Sequence, residues 1–206
     1  MPSEAMKNFF TVFVLIFMIC VTAEAALIEK NSTVAVMDFE PHEGTSSTNL
    51  DLLNAEKTSS EYVIYRLAET KKLSVVDRET VQDKLQDLKT SGIIDPATAA
   101  KIGTVLGVRY IVYGNVTDVT AATDKFGVNV HRVRAHLMIR IMDVETGRIV
   151  MAARGEGQSE SAFVGDSDGN FITIGTVKVS QTSVHNALQK AAFQAVDILI
   201  QRLFSK

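Results

Sequence analysis

The segment VHRVRAHLMIRIMDV, residues 130–144, alternates apolar and polar side chains over most of its length. A period of two residues predicts a β-strand that buries one face and leaves the other exposed. Five residues share the apolar face: Val133, Ala135, Leu137, Ile139 and Ile141. Four basic residues share the opposite face: Arg132, Arg134, His136 and Arg140. The chain must therefore fold around a sheet that packs one side of this strand against a core.

The residues that follow predict an antiparallel hairpin and a final helix. DVETGRIV holds a turn at Gly147, and RIVMAARGEGQSE returns as the partner strand. Residues 161–182 are polar and glycine-rich, with another turn at GDSDGN. Apolar residues then recur at helical spacing to the end of the chain: Val184, Leu188, Ala191, Ala195, Leu199 and Leu203.

The first half of the chain alternates strands and helices. TVAVMDF, residues 33–39, predicts a buried strand, and LSVV, residues 73–76, predicts a short one. A helix from Ser60 to Thr70 is predicted between them. Asp77 precedes a second helix, whose apolar stripe is Val81, Leu85 and Leu88.

The stretch DPATAAKIGTVLGVRYIVYGNV, residues 95–116, holds two glycines and a lysine, as phosphate-binding loops do. A phosphate loop, however, runs from strand to turn to helix. Here a helix capped by Asp95 ends at Gly107 and a strand follows, so Gly103 and Gly107 lie at the wrong end of the helix to bind phosphate. The stretch predicts a helix–strand unit of the core.

These elements predict an α/β fold, a single-domain mixed-sheet sandwich. Strand–helix alternation builds its first half, and an antiparallel hairpin with a C-terminal helix builds its second half. Polar composition predicts flexible segments at 40–59, 120–129 and 155–182.

The N-terminus predicts export. The apolar run FFTVFVLIFMICV after Lys7 is about 13 residues long, shorter than the ~20 residues that span a bilayer. AEA at Ala23–Ala25 fits a cleavage site, which predicts a signal peptide of residues 1–25, cut after Ala25, and a mature domain of residues 26–206. A retained anchor and lipidation of Cys20, the only cysteine, are the alternatives.

The charge pattern argues against nucleic acid as a partner. The formal net charge is −3, which gives no general attraction to polyanions. The basic residues of the alternating strand, Arg132, Arg134, His136 and Arg140, form a candidate interaction face, but it holds no aromatic residue for base stacking. Glu156 and Glu160 on the next strand are expected to neutralise part of this face, and a solvated or inter-subunit face is the alternative.

Residues that could carry catalysis or bind metal are sparse. The four histidines fit no paired metal spacing, and DSDGN, residues 166–170, lacks the glycine and carboxylate that a calcium loop needs further on. Asp38 and Asp77 end predicted strands, where open α/β sheets bind ligands. The alternative is that Asp77 caps its helix and Asp38 accepts hydrogen bonds from loop amides. We expect no enzyme and no catalytic, cofactor or metal site.

Four segments together carry a family resemblance: VAVMDFE, LAETKKLSVVDRETVQDKLQDLK, SGIIDPATAAKIGTVLGVRYIVYGNVTD and RIMDVETGRIV. With them the chain resembles the curli production assembly/transport (CsgG-like) family, which is related in fold to the LpoB-type activators of penicillin-binding proteins. The resemblance covers residues 33–150 well. It implies an envelope protein without enzymatic activity, whose partners are envelope proteins or further copies of the chain.

Two functions follow from the resemblance. The first is a periplasmic assembly or partner-binding module. The second is a subunit of an oligomeric outer-membrane secretion channel that exports curli-like proteins. In the second, residues 120–134 and 161–182 would enter lipid, so 161–182 is the segment through which we expect any membrane association. The expected location is the periplasm, with outer-membrane association in the second case.

Overall fold

The computed structural model describes residues 28–41, 54–87, 96–126, 128–162 and 170–205. In chain order, the helices are α1 (Ala55–Thr70), α2 (Arg78–Asp87), α3 (Pro96–Leu106) and α4 (Gln181–Phe204). The strands are β1 (Thr33–Val36), β2 (Glu40–Pro41), β3 (Ser74–Val75), β4 (Tyr110–Phe126), β5 (Val128–Asp143), β6 (Ile149–Ala162), β7 (Phe171–Ile174) and β8 (Val177–Ser180).

The main sheet joins two halves of different construction. Its strand order is β3–β1–β4–β5–β6, with β2 paired to β4, and β7–β8 form a separate hairpin. β1 pairs in parallel with β3 and β4, as expected for strand–helix alternation, while β4, β5 and β6 are antiparallel. The predicted α/β class with a mixed sheet is confirmed.

Two hydrophobic clusters lie on opposite sides of this sheet. The larger one fills the space between the sheet, α1, α4 and the β7–β8 hairpin, and it contains all five residues of the predicted apolar face of β5, each 0% exposed. The smaller cluster lies under α2 and α3 and includes Val81, Ile102, Ile111 and Met142. The alternation therefore identifies the buried face of β5 correctly.

One of the three antiparallel strands, β4, is much longer than the sequence suggested, because it continues past Val116 to Phe126. β4 has 17 residues, β5 has 16 and β6 has 14. Residues 120–126 and 155–162, predicted to be flexible, pair with β5 along its length. Their threonine, glycine and serine content is typical of loops, but β5 offers each of them a complete ladder of hydrogen bonds.

Two further boundaries differ from the sequence prediction. α1 begins at Ala55 instead of Ser60, and Ala55, Ser59 and Ser60 lie fully buried on its inner side. Ser60 satisfies its hydroxyl by donating to the carbonyl of Lys57 at 2.8 Å. β1 ends at Val36, although Met37 still donates a backbone hydrogen bond to Val112 at 2.8 Å. Residues 42–53 of the predicted flexible segment 40–59 lie outside the described residues.

α4 packs against β6 at unusually short range because both surfaces are made of small residues. A Cβ atom added to Gly155 or Gly157 would overlap the helix backbone at Ala191 or Ala187. This close approach brings two side chains of α4 over the outer edge of β6. The Gln194 side-chain oxygen accepts a hydrogen bond from the Glu156 N–H at 2.6 Å, and Lys190 Nζ donates to the Gln158 carbonyl at 2.9 Å.

Candidate interaction face

The four basic residues of β5 lie together on the side of the sheet opposite the main core. We call this side of β4, β5 and β6 the open face, because among the described residues no helix covers it beyond its Met142 end. It comprises Tyr113, Asn115, Asp118, Thr120, Ala122 and Asp124 of β4, Arg132, Arg134, His136, Met138 and Arg140 of β5, and Ala152, Arg154, Glu156, Gln158 and Glu160 of β6. A bulge after Val116 shifts the register of β4 by one residue, so that the even-numbered residues from Asp118 to Asp124 lie on the open face.

Arg132 is neutralised from both sides. Its Nη1 lies 2.8 Å from Asp124 Oδ2, and its Nε lies 2.9 Å from Glu160 Oε1. The hydrogen bond from Arg132 holds the pKa of Glu160 below its ordinary value. The expected neutralisation by Glu160 is therefore confirmed. Because Arg132 is paired with two carboxylates, we expect it to attract an anionic partner only weakly.

His136 lies between two carboxylates on the neighbouring strands. Its Nδ1 is 3.8 Å from Asp118 Oδ2 and its Nε2 is 3.7 Å from Glu156 Oε2, both beyond hydrogen-bond distance. The side chain is 19% exposed, and the buried Nδ1 has no hydrogen-bond partner. Because the two carboxylates face opposite nitrogens, they cannot join the imidazole around one metal ion. No group of three metal-ligating side chains occurs in the described ranges.

Three arginines of the open face, Arg134, Arg140 and Arg154, have no carboxylate partner among the described residues. Arg140 Nη1 lies 3.4 Å from Asn115 Oδ1, and its guanidinium lies 6.0 Å from the centre of the Tyr113 ring. Arg134 donates to Gln158 at 3.1 Å. Arg154 is exposed opposite Met138 and was missed by the sequence analysis. No local pattern in the sequence could have identified it, because its place opposite Met138 depends on the register of β6 against β5.

The open face therefore has two halves of opposite character. In the outer half, the carboxylates of Asp118, Asp124, Glu156 and Glu160 surround Arg132 and Arg134. The inner half, which we call the proximal patch, contains no carboxylate. It consists of Tyr113, Asn115, Met138, Arg140, Ala152 and Arg154. The four predicted residues share one face as expected, but they do not form a uniform basic strip.

Asp38 and Asp77 have different structural partners. Asp77 accepts a hydrogen bond from the Glu79 N–H at 3.0 Å and caps α2, as the structural alternative predicted. Asp38 instead binds the Arg78 guanidinium at 2.6 Å, and the same guanidinium binds Glu61 at 2.6 Å. This network ties the end of β1 to α1 and α2, so it has a structural explanation.

The glycines of the helix–strand unit also have structural roles. Gly107 follows the end of α3 with φ of +66°, a left-handed conformation that favours glycine. Gly103 lies so close to Val144 that a Cβ atom would overlap that side chain. Both glycines thus have packing or turn roles, as expected for a helix–strand unit of the core. The signal-peptide residues, Cys20, Ala25, Leu88, Asp95 and residues 166–169 of the calcium-like motif lie outside the described residues.

The described part of segment 161–182 packs into the main core. Ile172, Ile174 and Val179 of the β7–β8 hairpin are 7%, 6% and 1% exposed. At the surface, Lys178 lies 4.7 Å from the centre of the Phe171 ring. Membrane association through this segment stays a prediction, and it would require these apolar side chains to leave the core. None of the helices in the described ranges has the length and hydropathy needed to cross a membrane.

Comparison with solved structures supports the fold. The hypothetical protein CT253 from Chlamydia trachomatis is 13% identical, with 85% of this chain and 99% of that chain covered and a TM-score of 0.50. The LpoB C-terminal domain from Escherichia coli is 16% identical over 68% of this chain and 91% of that chain, with a TM-score of 0.43. The PelC dodecamer from Paraburkholderia phytofirmans is 12% identical over 82% and 91% of the two chains, with a TM-score of 0.42.

The family comparison gives the identification. No curated protein matches the sequence significantly. The model of the family described as curli production assembly/transport component CsgG matches residues 18–206, which is nearly the whole chain. The chain therefore belongs to the CsgG family and is a protein of the cell envelope.

Proposed function

We propose that this protein is a non-enzymatic periplasmic module of the curli assembly/transport family, which binds envelope proteins through the open face of its sheet. The observation that carries this proposal is the proximal patch, where Arg140 and Arg154 stand on a rigid sheet without a described carboxylate partner. A charged, partly buried surface on rigid strands is suited to protein recognition.

The absence of catalytic activity is part of the proposal. The two acids at the strand ends, Asp38 and Asp77, have separate structural partners. A notch of about 380 Å³ beside β6 is lined by His136, Arg154, Gly155, Glu156 and Gln194. Its described lining holds no serine, threonine, cysteine or lysine, and the His136 nitrogens lie 3.8 and 3.7 Å from Asp118 and Glu156, beyond hydrogen-bond distance. These arrangements favour binding over chemistry.

One observation favours the second candidate, a subunit of an oligomeric outer-membrane secretion channel. Each of β4, β5 and β6 exceeds the roughly 9–11 residues with which a tilted strand spans a bilayer. Against this candidate, Ile172 and Val179 of the β7–β8 hairpin cover the apolar side of the long strands and would have to move away. We therefore place the soluble module first.

Fractionation followed by light scattering tests the proposal. The full chain would be expressed in a bacterium with an outer membrane, and its mass would be measured in the periplasmic extract and in detergent-solubilised membranes. We expect a monomer or small oligomer in the periplasmic extract. A large ring recovered only from membranes in detergent would overturn the proposal and favour the channel subunit.

A further inference from the structure

We propose that the proximal patch binds an extended, acidic segment of a partner protein; this inference rests on the proposed partner-binding function and specifies its partner. The patch is the inner half of the open face, made of Tyr113, Asn115, Met138, Arg140, Ala152 and Arg154. Two cations, one aromatic ring and one thioether lie on adjacent strands, and no carboxylate occurs among them. Tyrosine, methionine and arginine are the residue types enriched at protein interfaces, while aspartate and glutamate are depleted.

The charge of the patch selects an acidic partner. Arg140 makes a long contact of 3.4 Å with the Asn115 side chain, and Arg154 is exposed with no described ion-pair partner. By contrast, Arg132 in the outer half is held by two carboxylates at 2.8 and 2.9 Å. Of the three open-face arginines without a described carboxylate partner, Arg134, Arg140 and Arg154, two lie in the proximal patch. The acidic outer half around Arg134 would repel an anionic segment that bound there.

The shape of the surroundings selects an extended segment over a membrane surface. α2 and α3 pack on the same side of the sheet as the patch, over Ile111 and Met142, the next residues inward along β4 and β5. A helix with its side chains is about 10 Å thick, so the patch lies at the foot of a step of that height. A flat lipid surface would rest on the helices and miss the patch, whereas a single extended chain can lie along the step.

Burial limits which groups the partner can reach. Tyr113, Met138 and Arg140 are half-buried, while Ala152 and Arg154 are exposed. Burial raises the pKa of the Tyr113 phenol, and its ring centre lies 6.0 Å from the Arg140 guanidinium. A partner carboxylate would thus meet Arg154 first and Arg140 second, and a small apolar side chain would contact Met138 between them.

Fluorescence anisotropy with defined peptides tests this inference. The probe is a labelled peptide of alternating glutamate with threonine or leucine, and the control peptide has glutamine in place of every glutamate. We expect the purified full-length protein to bind the glutamate peptide and not the glutamine peptide, with affinity falling as salt is added. The double variant Arg140→Gln/Arg154→Gln should bind about tenfold more weakly.

Matched variants separate the patch from general electrostatics. Arg202→Gln removes an exposed arginine on α4, far from the open face, and should leave the affinity unchanged. Arg132→Gln should weaken binding less than Arg154→Gln, because Arg132 is already paired. Arg154→Glu should lose the glutamate peptide and gain affinity for a peptide with lysine in place of glutamate, a gain that misfolding cannot produce.

Three outcomes would overturn the inference: equal losses for Arg202→Gln and Arg154→Gln, no loss for the double variant, or competition by phosphatidylglycerol vesicles as strong as that by the unlabelled peptide. The last outcome would mark a membrane surface instead. Failure of this inference is distinguishable from failure of the proposed function. A protein that is a periplasmic monomer but does not bind the glutamate peptide would support the proposed function and contradict only the acidic partner.

Discussion

The two faces of the β4–β5–β6 sheet are built from alternating residues of the same strands, yet they have different physical constraints. On the core face, Val133 and Leu137 are fully buried, and Gly155 and Gly157 touch the backbone of α4. On the open face, the intervening residues make ion pairs, long polar contacts or no described contact. Neighbours in sequence should therefore differ sharply in their tolerance of substitution, and four predictions test this difference.

The largest effect is expected from truncating Leu137. Leu137→Ala removes a fully buried side chain from the main cluster and should lower the free energy of unfolding by about 3 kcal/mol. Met138→Ala, one residue further on the open face, should cost less than about 1 kcal/mol because Met138 is only half-buried. Urea unfolding followed by circular dichroism measures both, and equal losses would contradict the assignment of the two faces.

A slightly smaller effect is expected from adding volume beneath α4. Gly157→Ala places a Cβ atom against the Ala187 carbonyl, so either the helix must shift or the strand must bend, at a cost of about 2 kcal/mol. The control is Ala152→Val on the open face of the same strand, which should change stability by less than about 0.5 kcal/mol. A stable Gly157→Ala protein with unchanged unfolding would show that the contact between α4 and β6 is looser than described.

A third prediction concerns Asp143, a carboxylate at the end of the core face with a 10% exposed side chain. Burial raises its pKa, but the Thr146 N–H at 2.8 Å and the Arg109 guanidinium at 2.8 Å outweigh burial and hold the pKa below its ordinary value. A lowered pKa in the folded state stabilises the protein above the unfolded pKa of about 3.9, and this stability is lost as the pH falls through the folded pKa.

Asp143→Asn should therefore destabilise the protein by about 1 kcal/mol at neutral pH and by progressively less as acid is added. Unfolding free energies measured from neutral pH down to about pH 3 would show the two curves converging. Parallel curves would mean that Asp143 keeps its ordinary pKa in the folded protein.

The smallest effect is expected at the outer half of the open face. Arg132→Gln breaks ion pairs with Asp124 and Glu160 that are partly exposed, so the unfolding midpoint should stay within experimental error of the original. The salt dependence of stability should change instead, since two carboxylates lose their cation. A large loss of stability would show that the open face supports the fold as strongly as the core face does.

The sequence allowed much of the fold to be predicted, and the reasons for the failures are specific. The alternation in β5 assigned the five apolar core-facing residues of that strand correctly, because period two has one structural meaning when one side is apolar. It could not show that residues 120–126 continue as a strand, and it gave residues 155–160 two interpretations, partner strand and flexible segment. Their pairing depends on β5, and their own composition is typical of loops.

The candidate site was only partly predictable for a related reason. Arg132, Arg134, His136 and Arg140 were placed on one face correctly, but which of them are neutralised depends on the register of two neighbouring strands. The register shifts between Ile141 and Met142, so residues of β6 cannot be paired with β5 by counting from the hairpin turn. The pairing of Arg154 with Met138 could therefore not be predicted from the turn alone. Which arginines are neutralised depends on strand register, and strand register depends on long-range contacts that a local sequence pattern does not show.

The hydrogen bonds that Gln194 and Lys190 make to the outer edge of β6 have a consequence for how this protein behaves in a crowded envelope. An unpaired edge is a template on which another extended chain can grow, and β6 would be a long one. Two side chains from α4 occupy the Glu156 N–H and the Gln158 carbonyl at its middle, so an incoming strand would find the ladder interrupted. These two hydrogen bonds therefore hinder the addition of a further strand to the sheet at β6. Another extended chain that approaches this edge would have to displace Gln194 and Lys190 before it could pair with β6.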